Sequence, residues 1–113
     1  LAGKEDDTML GFQLTFFTQQ DCRHGHTPLA EWLLLEARQL GLSGGTLTMA
    51  GEGFGRGGKL HSAHFFELAD QPVEVTIAAS AADAERLFQR LRDEHINVFY
   101  VKTPIEFGMT GSV

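Results

Sequence analysis

A single cysteine, Cys22, rules out an intrachain disulfide framework and points to a reducing cytosol as the protein's setting. Long apolar runs are missing too: no stretch approaches the roughly 20 residues of a spanning helix, and the start shows no signal-peptide pattern. The expectation is a cytoplasmic chain without membrane insertion. Basic residues are scarce, nine against fifteen acidic ones, and the resulting net charge of −6 argues against indiscriminate nucleic-acid binding. The three prolines each read as a boundary, Pro28 opening a helix, Pro72 opening a strand and Pro104 interrupting one.

Glycine is what the chain has in quantity. Five of the eight residues Gly51–Gly58 are glycine, which opposes regular helix and permits close backbone approaches. Arg56 and Lys59 add positive charge to this segment, and exposed backbone N–H groups would add donors for a phosphate or carboxylate. No Gly-Lys-Ser/Thr ending follows, so it is not a Walker A loop, and an expected strand on either side argues against a dinucleotide fingerprint. The reading is a mobile, ligand-responsive loop, with a passive connection or an oligomer contact as its competitor.

The remaining chain fits one domain able to bury about two-thirds of its extended surface. Residues 1–9 read as a flexible N-terminal segment, 10–107 as the domain and 108–113 as a flexible tail. Leu10, Phe12, Leu14 and Phe16 recur every second residue, the mark of a strand with one buried face, while Phe17 breaks the alternation and suits a subunit interface or the core's edge. Thr27 as N-cap and Pro28 at the first helical position predict a helix through Leu40 that stops near Gly41. Its inner stripe is Leu29, Leu33, Ala37 and Leu40, with Trp32 and Leu35 left for a second buried face, packed either within the fold or at an interface.

Thr46–Ala50 reads as a short strand after the Gly44-Gly45 turn, and Leu60–Leu68 as either loop or ribbon. Val73, Val75 and Ile77 mark a clear strand. Ser80 and Asp83 have N-cap to N3 spacing for a second helix, with Ala84, Leu87, Phe88 and Leu91 inward and Glu85, Arg86, Gln89 and Arg90 toward solvent. A last strand is expected from Ile96, broken at Thr103-Pro104, with a short edge piece over Ile105–Phe107. The order strand, helix, strand, glycine-rich segment, strand, helix, strand implies an α+β, ferredoxin-like βαββαβ sandwich with helices over one face. The other face then needs polar residues or a partner, and the surplus of Phe, Trp and Leu favours a small cyclic oligomer.

His24-Gly25-His26-Thr27-Pro28-Leu29, Ala37 through Gly45, Glu52-Gly53-Phe54-Gly55 and His61-Ser62-Ala63, met in that order, resemble the PII-like domain-of-unknown-function family 190 within the nitrogen regulatory PII superfamily. The resemblance covers roughly Phe12 to Val101. It implies a ferredoxin-like protomer assembled as a homotrimer, with lateral clefts and a flexible central loop serving small-molecule sensing, and adenine nucleotides as the superfamily's ligands. It also implies that Gly53, Phe54, Gly55 and Arg56 stand at the loop's root beside such a cleft, and that a transporter or enzyme is the regulated partner. Glu94-His95-Ile96-Asn97 lacks the basic, glycine-containing loop that grips nucleotide phosphates in PII proteins, which leaves Lys102 as a weak substitute by location. The central loop also has no tyrosine to modify.

The expected ligand set is Gly53, Phe54, Gly55, Arg56, Gly58 and Lys59 with His24, His61 and Lys102, and the ligand a small anion, an adenine nucleotide being the first candidate. His24 and His61, if they met across the cleft, would make binding pH-sensitive. Cys22, His24 and His26, joined by His61 and His64, offer a competing zinc or copper module, although their spacing matches no closed metal signature. Glu52, His61 and Ser62 supply an acid, a base and a hydroxyl without an ordered nucleophile, base and orienter, so no catalytic residues are assigned. A non-catalytic structural oligomer is the plainest alternative.

Overall fold

A computed structural model describes residues 8–49, 52–54, 60–62 and 71–111, the pieces 52–54 and 60–62 by backbone alone. Strand β1 (Thr8–Gln19) leads through a small hairpin, β2 (Arg23–His24) and β3 (Thr27–Pro28), into helix α1 (Leu29–Gln39) and strand β4 (Gly45–Met49). A ribbon of β5 (Glu52–Phe54) and β6 (Leu60–Ser62) follows, then β7 (Pro72–Ser80), α2 (Ala81–Asp93) and β8 (Phe99–Gly108). Four strands form one sheet in the order β4-β7-β1-β8, every neighbouring pair antiparallel. Two βαβ units are thus interleaved, each inserting a strand between the two of the other, which is the expected ferredoxin-like fold.

The two-residue alternation of β1 and β7 creates the core. Leu14, Phe16, Val73, Val75, Ile77 and Ala79 point to the helix side and are buried against Leu33, Leu87 and Leu91. Each fully buried aliphatic side chain of this kind contributes about 2 kcal/mol of transfer free energy. Leu10 departs from the expected inward row: it lies beyond the helices, 78% exposed. Gly11 is there for space, since a Cβ would stand 2.1 Å from the Ala79 carbonyl oxygen.

Both helices close in the same way, and one opens differently from the sequence reading. At α1 the cap position is Pro28, with no side-chain cap hydrogen bond, and Thr27 is instead paired with His24 in the hairpin. The strand-like ψ of 136° at Pro28 makes it the last non-helical residue, which shifts the helix start by one. At α2 the expected cap holds: the Asp83 amide donates to Ser80 Oγ at 3.1 Å. The C-terminus of α1 reverses through Gly41 (φ 82°), with the Leu42 amide donating to the Ala37 carbonyl and that of Gly41 to Arg38, a Schellman closure. At α2 the same closure uses His95 (φ 57°), a β-carbon-bearing residue in the left-handed region.

Strand β8 also differs from expectation. It begins at Phe99 and runs unbroken through Pro104, because β8 is an edge strand where a proline forfeits no ladder bond on its outer side. Helix α2 packs chiefly over β1 and β7 and reaches β8 through Phe88, leaving Tyr100 and Lys102 on the helix side of β8 exposed among the described residues. On the opposite face of the sheet, Phe17 and Phe99 meet as a tilted pair with ring centroids 5.7 Å apart, and Phe17, Phe99 and Val101 are exposed. The broken alternation at Phe17 therefore places an aromatic on the uncovered sheet face. The expected N-terminal segment through Asp7, most of the glycine-rich loop and the later part of Leu60–Leu68 lie outside the described residues.

Candidate functional site: a cleft beside an uncovered strand

Because β8 is the sheet's edge and α2 stops short of it, a cleft of about 330 Å³ opens between them. Its walls are Phe88, Leu91 and Arg92 from α2, the connection Ile96–Val98, and Tyr100 and Lys102 from β8, with Glu85 at the rim. The register explains the composition. Lys102 pairs with Leu14 and Tyr100 with Phe16, so both share the helix-facing side of the sheet with the core residues of β1. Phe88 and Tyr100 meet at 4.7 Å between ring centroids and both also approach Phe16.

The two cations of the cleft differ. Arg92 Nη2 donates to Glu85 Oε2 at 2.6 Å and to Gln89 Oε1 at 3.0 Å, so its charge is answered within α2. Lys102 Nζ stands 4.2 Å from the Phe12 ring centroid and 5.9 Å from that of Phe88, and forms no ion pair among the described residues. Ring faces attract an ammonium but do not neutralise it. A mixed polar and aromatic cleft that sets the rings of Phe88 and Tyr100 beside a cation without an ion-pair partner among the described residues suits a ligand that combines a flat ring with an anionic group.

Of the other residues proposed from sequence, His24 does not line the cleft. Its Nε2 donates to Glu94 Oε1 at 2.9 Å, and its ring meets Trp32 edge-on at 4.8 Å. Trp32 thus packs partly buried against the core, as one of the two alternatives for it had it, whereas Leu35 is half exposed. Gly53 pairs with His61 and Phe54 with Leu60 in the β5–β6 ribbon, which brings that glycine and histidine together in the backbone. Gly55, Arg56, Gly58 and Lys59 lie outside the described residues, as does His64. Among the described residues no three of His, Cys, Asp and Glu come together to hold a metal ion. No helix among them is long and apolar enough to cross a membrane.

The structure adds residues that sequence reading passed over. Arg90, assigned to solvent, instead donates from Nε to Glu36 Oε1 and from Nη1 to Glu94 Oε2, both at 2.6 Å. Its guanidinium is held more firmly protonated by the bonds to Glu36 and Glu94. The Glu94 carboxyl is in turn lowered below its ordinary value by the His24 hydrogen bond and by Arg90. Glu36 gave a signal in the sequence, a carboxylate three residues after Leu33 on the inward side of α1, which needs a partner when buried. Phe88, Asn97 and Tyr100 gave a weaker one, since only the edge position of β8 turns them into a cleft.

The DUF190 family model, described as an uncharacterized ACR, matches residues 11–105. Among solved structures, a protein described as PII-like and signalling, from Thermus thermophilus, is similar over 90% of this chain and 93% of its own, at 22% identity and a TM-score of 0.66. CPII from Thiomonas intermedia, bound to ADP and bicarbonate, is similar over 90% of this chain and 92% of its own, at 17% identity and a TM-score of 0.61. The apo form of CPII is similar over 90% of this chain and 96% of its own, at 16% identity and a TM-score of 0.54. Among curated proteins none matches. With a family match across nearly the whole sheet and both helices, the chain belongs to the DUF190 family and has the fold of PII-like proteins.

Proposed function

We propose that this chain is a cytoplasmic, non-catalytic PII-like regulator that assembles as a homotrimer and takes a small anionic effector of the adenine-nucleotide class at a subunit boundary. The observation that carries the reading is Lys102, a cation with aromatic neighbours and no ion-pair partner among the described residues, in a cleft large enough for part of a nucleotide. Support for the ligand class comes from CPII, a protein of the same fold bound to ADP and bicarbonate. The exposed Phe17, Phe99 and Val101 on the uncovered sheet face support assembly, since further copies would remove them from water.

In this reading Lys102 binds from the sheet edge, and Arg56 and Lys59 bring positive charge from the glycine-rich segment. Preferential binding to one arrangement of that segment shifts its population and exposes or hides a surface for a transporter or enzyme. Calorimetric titration with ADP tests it. Lys102→Ala is expected to weaken binding about tenfold or more, the loss of one charge-assisted hydrogen bond. The Arg56→Ala/Lys59→Ala double variant is expected to lose affinity while keeping the trimer by sedimentation. Affinity unchanged in both variants rejects the assignment.

A further inference from the structure

His24, Glu36, Arg90 and Glu94 form a continuous polar network outside the cleft lining. Arg90 spans both carboxylates at 2.6 Å, and His24 donates to the other carboxylate oxygen of Glu94 at 2.9 Å. Glu36 is buried within it, only 8% exposed, and Trp32 flanks it, 4.8 Å from the imidazole and 5.9 Å from the guanidinium carbon. The groups facing His24 can be named by element. From α2 they are Glu94 and, through it, Arg90, with His95 next in the chain; from α1 they are Glu36, beyond Arg90, and the uncharged Trp32. Its own hairpin adds His26 and Arg23, whose Nη1 donates to the His26 carbonyl at 3.0 Å.

Two carboxylates and one guanidinium leave this network one negative charge in excess. A protonated imidazole balances it. Imidazole is also the side chain whose charge ordinarily changes between about pH 5 and 8. The His24 bond and Arg90 hold the Glu94 carboxyl below its ordinary range, so it stays anionic throughout that interval.

The network ends where the cleft wall begins. Glu94 is the C-cap of α2, His95 takes the left-handed conformation, the Ile96 amide donates to the Leu91 carbonyl at 3.0 Å, and Ile96, Asn97 and Val98 line the cleft. Glu94 and the first wall residue, Ile96, are thus two positions apart in one helix closure. We infer that His24, Arg90 and Glu94 are positioning residues for the Ile96–Val98 wall, and that protonation of His24 tightens it so that effector binding strengthens as the pH falls. The effect on binding rests on the cleft being the effector site, as proposed above; the tightening of the wall does not.

Amide hydrogen exchange read by NMR on the unliganded protein separates the two. His95→Asn serves as the parent, because asparagine tolerates the left-handed region and the substitution removes a neighbouring imidazole. After correction for intrinsic exchange, protection of the Ile96 amide is expected to be about fivefold higher near pH 5.5 than near pH 8. His24→Gln and Glu94→Gln in that background are each expected to flatten the profile, the second while keeping the side chain's shape. A profile that is flat in the parent, or unchanged in both variants, overturns the inference.

ADP titration adds the second arm. Taking the difference between the parent and Glu94→Gln cancels the protonation of the ADP phosphate itself. Binding that tightens about fivefold toward low pH in the parent alone supports the coupling. Binding with the same pH dependence in both overturns it, even where Ile96 protection responds. Failure of ADP to bind at any pH counts against the nucleotide reading and leaves the exchange profile to decide on the wall.

Discussion

Arg90, on α2, and Lys102, on the neighbouring strand β8, have opposite surroundings. Arg90 meets two carboxylates and spends all its charge on joining α1 to the end of α2. Lys102 meets two aromatic rings and no ion-pair partner among the described residues. The difference teaches how to sort cations on a small fold: one whose neighbours already neutralise it holds the structure together, and one left uncompensated in a cleft is available to a ligand.

Substituting each cation by methionine probes the contrast most strongly. Arg90→Met strands Glu36, whose side chain is 10% exposed, beside Glu94, and is expected to give the largest loss of stability, seen as a lower urea midpoint with an unchanged slope. Lys102→Met, which gives up only the contacts of an exposed ammonium with the rings of Phe12 and Phe88, is expected to move stability by no more than about 1 kcal/mol. Equal losses in the two would break the distinction.

Phe88 belongs to both regions, packing against the core and lining the cleft. Phe88→Leu is expected to cost about 1.5 kcal/mol in chemical denaturation and to weaken ADP binding as well. Loss of stability with intact affinity would separate the cleft from the ligand. His95 stands between the two regions, and His95→Gly, by relieving a left-handed side chain, is expected to raise stability by about 1 kcal/mol in the same assay. A destabilised His95→Gly would mean that its side chain contributes more than its backbone strain takes away.

The smallest effect concerns pH. Glu94 has a folded-state value lowered from the ordinary 4.5, so its stabilising contribution is fully present above that value and is lost as the pH falls below it, toward the lowered value. Glu94→Gln should accordingly narrow the stability difference between neutral and acid pH, measured by thermal unfolding. An identical acid profile in the two proteins would remove Glu94 from the network's electrostatics.

Much of the fold was legible because alternation and caps are local. Val73, Val75 and Ile77 announce an inward row, Ser80 caps α2 through its own side chain, and Gly41 ends α1 by its freedom at positive φ. What escaped was non-local. Pro104 reads as a break until β8 is known to be an edge strand, and Thr27 reads as a cap until it is paired with His24. Arg90 looks like ordinary helix surface because Glu36, 54 residues earlier, reaches it only through the packing of the two helices. Lys102 stands out by resemblance in location, but its aromatic setting depends on β8 pairing with β1 in one register.

A crystal structure of the protein with ADP tests the central claim most directly. The account expects the phosphate oxygens about 2.8 Å from Lys102 Nζ in the cleft between α2 and β8. ADP held elsewhere, with Lys102 still turned only to Phe12 and Phe88, would contradict it.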